Sequence, residues 1–319
     1  MMKFIEKDYA LLLICRVSAM FMIFSAPFCQ NMYGQENETD RLWNQPIKPF
    51  RIIGNIYYVG AYDVTSFLIT TPAGHILLDS GFAETVPQIK ENIATLGFRL
   101  EDVKILINSH AHYDHAGGLA ELKRLTGAKL LVSSADARLL ADGGRSDFHF
   151  QDKIFHFAPV ETDQIIRDRS TIKLGGVKIK VHLTPGHTKG CTTWTMKVKE
   201  NGRNFNVVFV CSTSVPGYQL VDNDKYPEIA SDYNKSFRKM KRLSADVFLA
   251  SHGSFFGLQE KIELLAKNPD QNPFVDPQGY KDFLLRAEKR FQTLLEEQKS
   301  KKSINKIQNN FGGIKRWRK

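Results

Sequence analysis

The segment His110-Ala-His112-Tyr-Asp114-His115 constrains this chain more than any other, because it sets three imidazoles and a carboxylate within six positions. An apolar run, Val103-Lys-Ile-Leu-Ile107, leads into it, and Gly118-Leu-Ala-Glu-Leu-Lys-Arg-Leu125 follows with helical spacing. The order predicted is strand, ligand-bearing loop, helix. Two more histidines occupy similar places. His187 lies in the turn Thr184-Pro-Gly-His187-Thr-Lys-Gly190, directly after a strand predicted over 177–183, and His252 ends the apolar run Phe248-Leu-Ala-Ser-His252. Each stands at the C-terminal end of a strand, where a rigid scaffold presents functional loops. Imidazole and carboxylate are donors that suit zinc, and six of them exceed what one tetrahedral ion takes. His110 and His112, two apart, reach one ion from the same side of an extended turn, and Asp114 and His115 point towards a second. The plain alternative is a polar loop of solvated histidines. Three strand ends presenting histidines in one chain weigh against it. Of the other histidines, His182 reads as a strand residue, and His75, His149 and His156 read as surface residues.

Strands are predicted over 56–60, 66–71 and 75–79, with Pro72-Ala-Gly74 as a tight turn between the last two, and a helix over 85–96. Strand and helix signals then alternate through 103–107, 119–125, 129–132 and 135–140. A hairpin follows, 192–198 with 205–210, around Asn201-Gly202. A helix over 277–297 carries one apolar stripe, Tyr280, Phe283, Leu284, Ala287, Phe291 and Leu294-Leu295, suited to an outer face.

His-x-His-x-Asp-His followed by two later histidines resembles the signature of the metallo-β-lactamase superfamily, over roughly residues 45–270. The resemblance implies an α/β fold, the αβ/βα four-layer sandwich, with a dinuclear zinc site on one edge. It implies His110, His112 and His187 on a first zinc, and Asp114, His115 and His252 on a second. The superfamily hosts many chemistries, so the fold alone does not give the reaction. One position discriminates. Lactonases and related hydrolases carry a bridging Asp after the hairpin strand, and the best-known lactamases carry Cys there. Here the segment reads Val210-Cys211-Ser212-Thr-Ser214-Val-Pro-Gly-Tyr218, and Ser212 aligns with that position. A serine hydroxyl is a poor zinc ligand. The second ion is then left with Asp, His and His, as in subclass B3 metallo-β-lactamases, which the Ser-x-Ser-x-Pro-Gly-Tyr run also resembles.

That resemblance implies two Zn2+ per chain and hydrolysis of the β-lactam amide bond of penicillins, cephalosporins and carbapenems by a zinc-activated hydroxide, giving antibiotic resistance. Asp114 would ligate and orient the nucleophile. Ser212 and Ser214 would hydrogen-bond the substrate carboxylate or a bridging water, Tyr218 would donate to the developing oxyanion, and Trp43 would lie near the site mouth. The alternatives are a lactonase or other ester hydrolase on the same centre, which the missing bridging Asp disfavours, and a non-catalytic zinc-binding periplasmic protein.

Residues 1–30, with an apolar stretch over 10–28, read as a secretory signal or N-terminal apolar segment. The expectation is a bacterial periplasmic protein with no stable membrane span in the mature chain, acting as a monomer. Residues 31–298 would form one catalytic domain, long enough for a substantial core. The net charge of +10 is unevenly placed, since 299–319 carries eight basic residues and no acid. That segment reads as a basic, flexible tail, with Gly312-Gly313 interrupting any helix. A weak hold on anionic lipid or on polyanions is the functional alternative. No nucleic-acid-binding module is visible. Cys191 and Cys211 flank the hairpin. With a two- or four-residue loop Cys191 falls opposite Ser212 and the two thiols lie on opposite faces, and with a three-residue loop they share one. The sequence leaves open whether they bridge, and a one-residue shift in alignment would make Cys211 a metal ligand.

Overall fold

The computed structural model describes residues 38–314. The apolar segment over 10–28, the proposed signal and the last five residues lie outside them. The strands are β1 (Phe50–Ile53), β2 (Ile56–Tyr58), β3 (Phe67–Thr71), β4 (Gly74–Leu78), β5 (Val103–Ile107), β6 (Lys129–Ser133), β7 (Gln164–Ile166), β8 (Thr171–Leu174), β9 (Val177–Leu183), β10 (Thr192–Glu200), β11 (Arg203–Val210) and β12 (Val247–Ala250). The α-helices are α1 (Glu38–Trp43), α2 (Val86–Thr95), α3 (Tyr113–Ala116), α4 (Leu119–Thr126), α5 (Ser134–Ala141), α6 (Ile229–Met240), α7 (Gly253–Phe256), α8 (Leu258–Lys267) and α9 (Pro277–Ile314).

Two sheets face each other. One runs β1 to β7 in chain order, antiparallel as far as β4 and parallel from there. The other runs β12-β11-β10-β9-β8, with only β11 and β12 parallel. The central strands β3, β4 and β6 of the first sheet are largely apolar on both faces because both are covered. In β3 and β4, Phe67, Ile69, Ile76 and Leu78 point into the layer between the sheets, where Phe67 meets Phe209 at 5.2 Å. Leu68 and Leu77 point outward, under Ile89 and Ile93 of α2 and Leu122 of α4. On the far side, α6 and α9 cover the second sheet through Tyr233, Phe237, Tyr280, Phe283 and Phe291, all buried. Burying each such side chain contributes about 1.5–3 kcal/mol. The expected four-layer αβ/βα sandwich is the observed one.

The β10–β11 turn is the two-residue loop that Asn-Gly favours. Glu200 pairs with Arg203, and Asn201 and Gly202 take φ of 49° and 79°. Strict alternation would then set Cys191 and Cys211 on opposite faces, yet they form a disulfide, with Cα atoms 5.9 Å apart. Pairing of β10 with β11 ends at Trp194 and Phe209, and Thr192 N donates instead to the Ser109 carbonyl. Both cysteines lie past that point, where the pleat no longer dictates direction.

Two expectations need correction. His75 is not a surface residue. It is 8% exposed in β4, with its ring 5.2 Å from Phe98. The helix predicted over 277–297 runs on to Ile314, through most of the basic segment and past Gly312-Gly313. Lysine, glutamine and serine without proline extend an already nucleated helix at little cost. Its last buried residue before the basic run is Leu295, and Gln298 ties it to the loop before α6, accepting from Leu220 N at 2.7 Å and donating to the Tyr218 carbonyl at 2.8 Å. Beyond Lys299, the exposed Lys302–Asp222 pair reaches that loop, and such pairs contribute little. Truncation after Lys299 should therefore shift the melting temperature by less than about 2 °C. Gln298→Ala in the full chain should cost about 2 kcal/mol and lower it by roughly 4–8 °C. Thermal denaturation of the two variants checks the order.

Candidate metal centre

The strand ends place the histidines. His110 and His112 follow β5, and His112 stands at the N-terminal boundary of α3, which carries Asp114 and His115. His187 lies in the turn after β9, and His252 two residues past β12. The turn at His187 needs Gly186, whose φ is 145° and whose missing Cβ would lie 2.8 Å from the Tyr233 ring. All six predicted ligands converge. His110, His112 and His187 offer donor atoms within 4.8 Å of one another, as do His110, Asp114 and His115. In the second triad, Asp114 Oδ2 lies 3.2 Å from His115 Nε2 and 3.5 Å from His252 Nε2, and those two nitrogens are 3.2 Å apart. His110 Nε2 and His187 Nε2 are also 3.2 Å apart. Donors at about 2.1 Å from a tetrahedral ion stand about 3.4 Å from each other, so both sets fit zinc.

The far nitrogens of His187, His252 and His110 are held by oxygen, while those of His112 and His115 face a carboxylate without a hydrogen bond. His187 Nδ1 faces the Ser214 carbonyl at 3.0 Å, so when it donates there Nε2 presents a lone pair to the centre. His252 Nδ1 faces Asp63 Oδ2 at 2.8 Å, His110 Nδ1 faces Ser109 Oγ at 3.0 Å, and His112 Nε2 lies 3.5 Å from Asp147. His115 Nδ1 lies 3.8 Å from Asp79, which accepts from Ser109 N and Asn108 Nδ2. Burial, together with the other histidines, holds His110 and His187 well below the usual imidazole range, hence neutral. Burial also opposes charge on Asp114, but His115 and His252 outweigh it and keep the carboxyl well below its usual range. Burial pushes Asp79 up to about 6 despite His115.

The carboxylates Asp63, Asp79 and Asp147, each at most 7% exposed, went unseen in the sequence reading. Only Asp79 had a signal there, as an acid closing the run Ile76-Leu-Leu. Trp43 is placed as expected, its ring 4.9 Å from that of His252. Ser212 and Ser214 adjoin the first triad, with their hydroxyls 3.1 Å apart and Ser214 Oγ 3.2 Å from His187 Nδ1. Tyr218 is 1% exposed and donates its hydroxyl to the His187 carbonyl at 3.0 Å. An oxyanion role requires that hydroxyl to leave its present acceptor. Cys211 is committed to its disulfide, so the thiolate-ligand alternative does not hold.

Residues 59–252 match the family model of the metallo-beta-lactamase superfamily. The chain belongs to that superfamily. Among solved structures, this metallo-beta-lactamase superfamily member is similar to FEZ-1 metallo-beta-lactamase from Legionella gormanii, with 45% identity, TM-score 0.79, and 80% of this chain and 98% of that one covered. It is also similar to BJP-1, a subclass B3 metallo-beta-lactamase of Bradyrhizobium japonicum, with 36% identity, TM-score 0.77, and 82% and 98% covered. A curated relative, a probable metallo-hydrolase of Burkholderia pseudomallei, is 29% identical over 118 residues, 34% of this chain and 35% of that protein. The chain thus spans about a third of the length of that relative.

Proposed function

We propose that this protein is a subclass B3-type metallo-β-lactamase that binds two zinc ions and hydrolyses the amide bond of β-lactam antibiotics, giving resistance. The observation that carries the reading is the pair of adjoining donor triads, with serine rather than a carboxylate at position 212. When bound, two such ions supply a Lewis acid for the substrate carbonyl and lower the pKa of water towards 7. The remaining work falls to the chain. Asp114, kept ionised, accepts a hydrogen bond from the attacking water and orients it. The Ser212 and Ser214 hydroxyls offer donors to the substrate carboxylate. Trp43 at His252 and Phe150 at His112 wall the site against bulk water. The resident disulfide suits an oxidising compartment, in keeping with export to the periplasm. Among the described residues no helix is long and apolar enough to cross a membrane.

Hydrolysis of nitrocefin and a carbapenem, with and without EDTA, tests this. Turnover should depend on metal, and clavulanate, which acylates a nucleophilic serine, should not block it, because the attacking group in this reading is a metal-activated water. Turnover of lactones without β-lactams would replace the reading with an ester hydrolase. Zinc binding without either activity would replace it with a non-catalytic protein.

A further inference from the structure

Asp136 is a buried carboxylate, 2% exposed, that holds none of the six donors yet touches both loops that carry the first triad. It stands in the first turn of α5, its own backbone N–H donating to the Ser133 hydroxyl at the helix start. Its Oδ2 accepts from Ala111 N at 3.1 Å, the peptide between His110 and His112, and from Thr188 Oγ1 at 3.2 Å, next to His187. Its Oδ1 accepts from Gly190 N at 3.0 Å, in the same turn as His187. A Cβ on Gly190 would stand 2.4 Å from the Asp136 carboxylate and 2.2 Å from Ser133 Oγ, so only glycine admits this approach.

The first triad is assembled from two sheets. His110 and His112 follow a strand of the seven-stranded sheet, and His187 follows one of the five-stranded sheet. We propose that Asp136 is the positioning residue of the first metal site, one carboxylate that sets the spacing of its two ligand loops, and this rests on the metal-centre reading above. The second triad has a separate anchor. Asp63 holds His252 Nδ1 at 2.8 Å and accepts from Ser254 N at 2.6 Å. The two sites should therefore be separable by changing one carboxylate at a time.

In Asp136→Asn the amide group turns a donor towards one of two N–H groups, so one ligand loop loses its anchor while the shape is kept. Metal affinity, measured by competition with a chromogenic chelator, should fall about ten- to hundredfold for one zinc equivalent and stay unchanged for the other. Cobalt substitution should place the loss in the three-imidazole site. Asp63→Asn should weaken the other equivalent instead, and the melting temperature of chelator-treated Asp136→Asn should stay within a few degrees of the parent. Thr188→Val removes only one of the three contacts and should weaken the same equivalent by a smaller factor, which keeps the test open if Asp136→Asn does not fold. Parallel weakening of both equivalents in either variant would overturn the proposal, as would parent-like affinity in both. A parent protein that binds no zinc would remove the metal-centre reading, and this proposal with it.

Discussion

Asp114→Asn should lose one of two zinc equivalents and lower kcat/KM for nitrocefin by on the order of a thousandfold, about 4 kcal/mol of transition-state stabilisation. Asp114 Oδ2 stands within 3.5 Å of both His115 Nε2 and His252 Nε2, and it is the one anion among the second triad's three donors. A neutral amide keeps the volume but removes that charge and turns a donor towards two imidazoles. It also removes the acceptor that orients the attacking water. The first triad does not include this residue and should keep its ion. Metal analysis of the purified variant alongside the kinetics checks both halves. Two zinc equivalents with parent-like turnover would defeat the assignment.

The second large effect is on stability. Replacing both Cys191 and Cys211 with alanine opens a loop with a sequence separation of 20 and should cost about 3 kcal/mol. The melting temperature should fall by roughly 6–12 °C, and both zinc equivalents should remain. The two sulfurs are fully buried and join the end of the His187 turn to the start of the Ser212–Ser214 segment. That segment supplies the carbonyl that orients His187 Nδ1, so the first triad gains order from the bridge without using sulfur as a donor. Calorimetry under oxidising and reducing conditions should show the parent falling to the variant's value only when reduced. Loss of a zinc equivalent in Cys211→Ser alone would mean that the sulfur is a ligand.

All six donors could be read from the sequence because each depends on local order, a strand end followed by a turn or a short helix. The spacing His110-x-His112-x-Asp114-His115 puts its four members in the two donor clusters that the structure brings together. The alternation of strands and helices was equally legible, whereas the four-layer order came from the resemblance and the length of the loop at Asn201-Gly202, hence the hairpin register, was left open until the structure gave it. The acids behind the histidines were not legible. Asp63 is 189 positions from His252, and Asp136 is 52 from Thr188. Neither lies in a periodic pattern, so nothing local separates them from solvent-facing acids. Tertiary structure alone decided that they are buried and what they hold. It also decided the disulfide, because the pleat predicts direction only while strands stay paired, and both cysteines stand past the last pair. The basic helix end followed the same division. Charge implied an unfolded tail, but a helix already nucleated on the apolar stripe from Tyr280 to Leu295 extends into it because each added residue costs little once the first turns are paid for by packing.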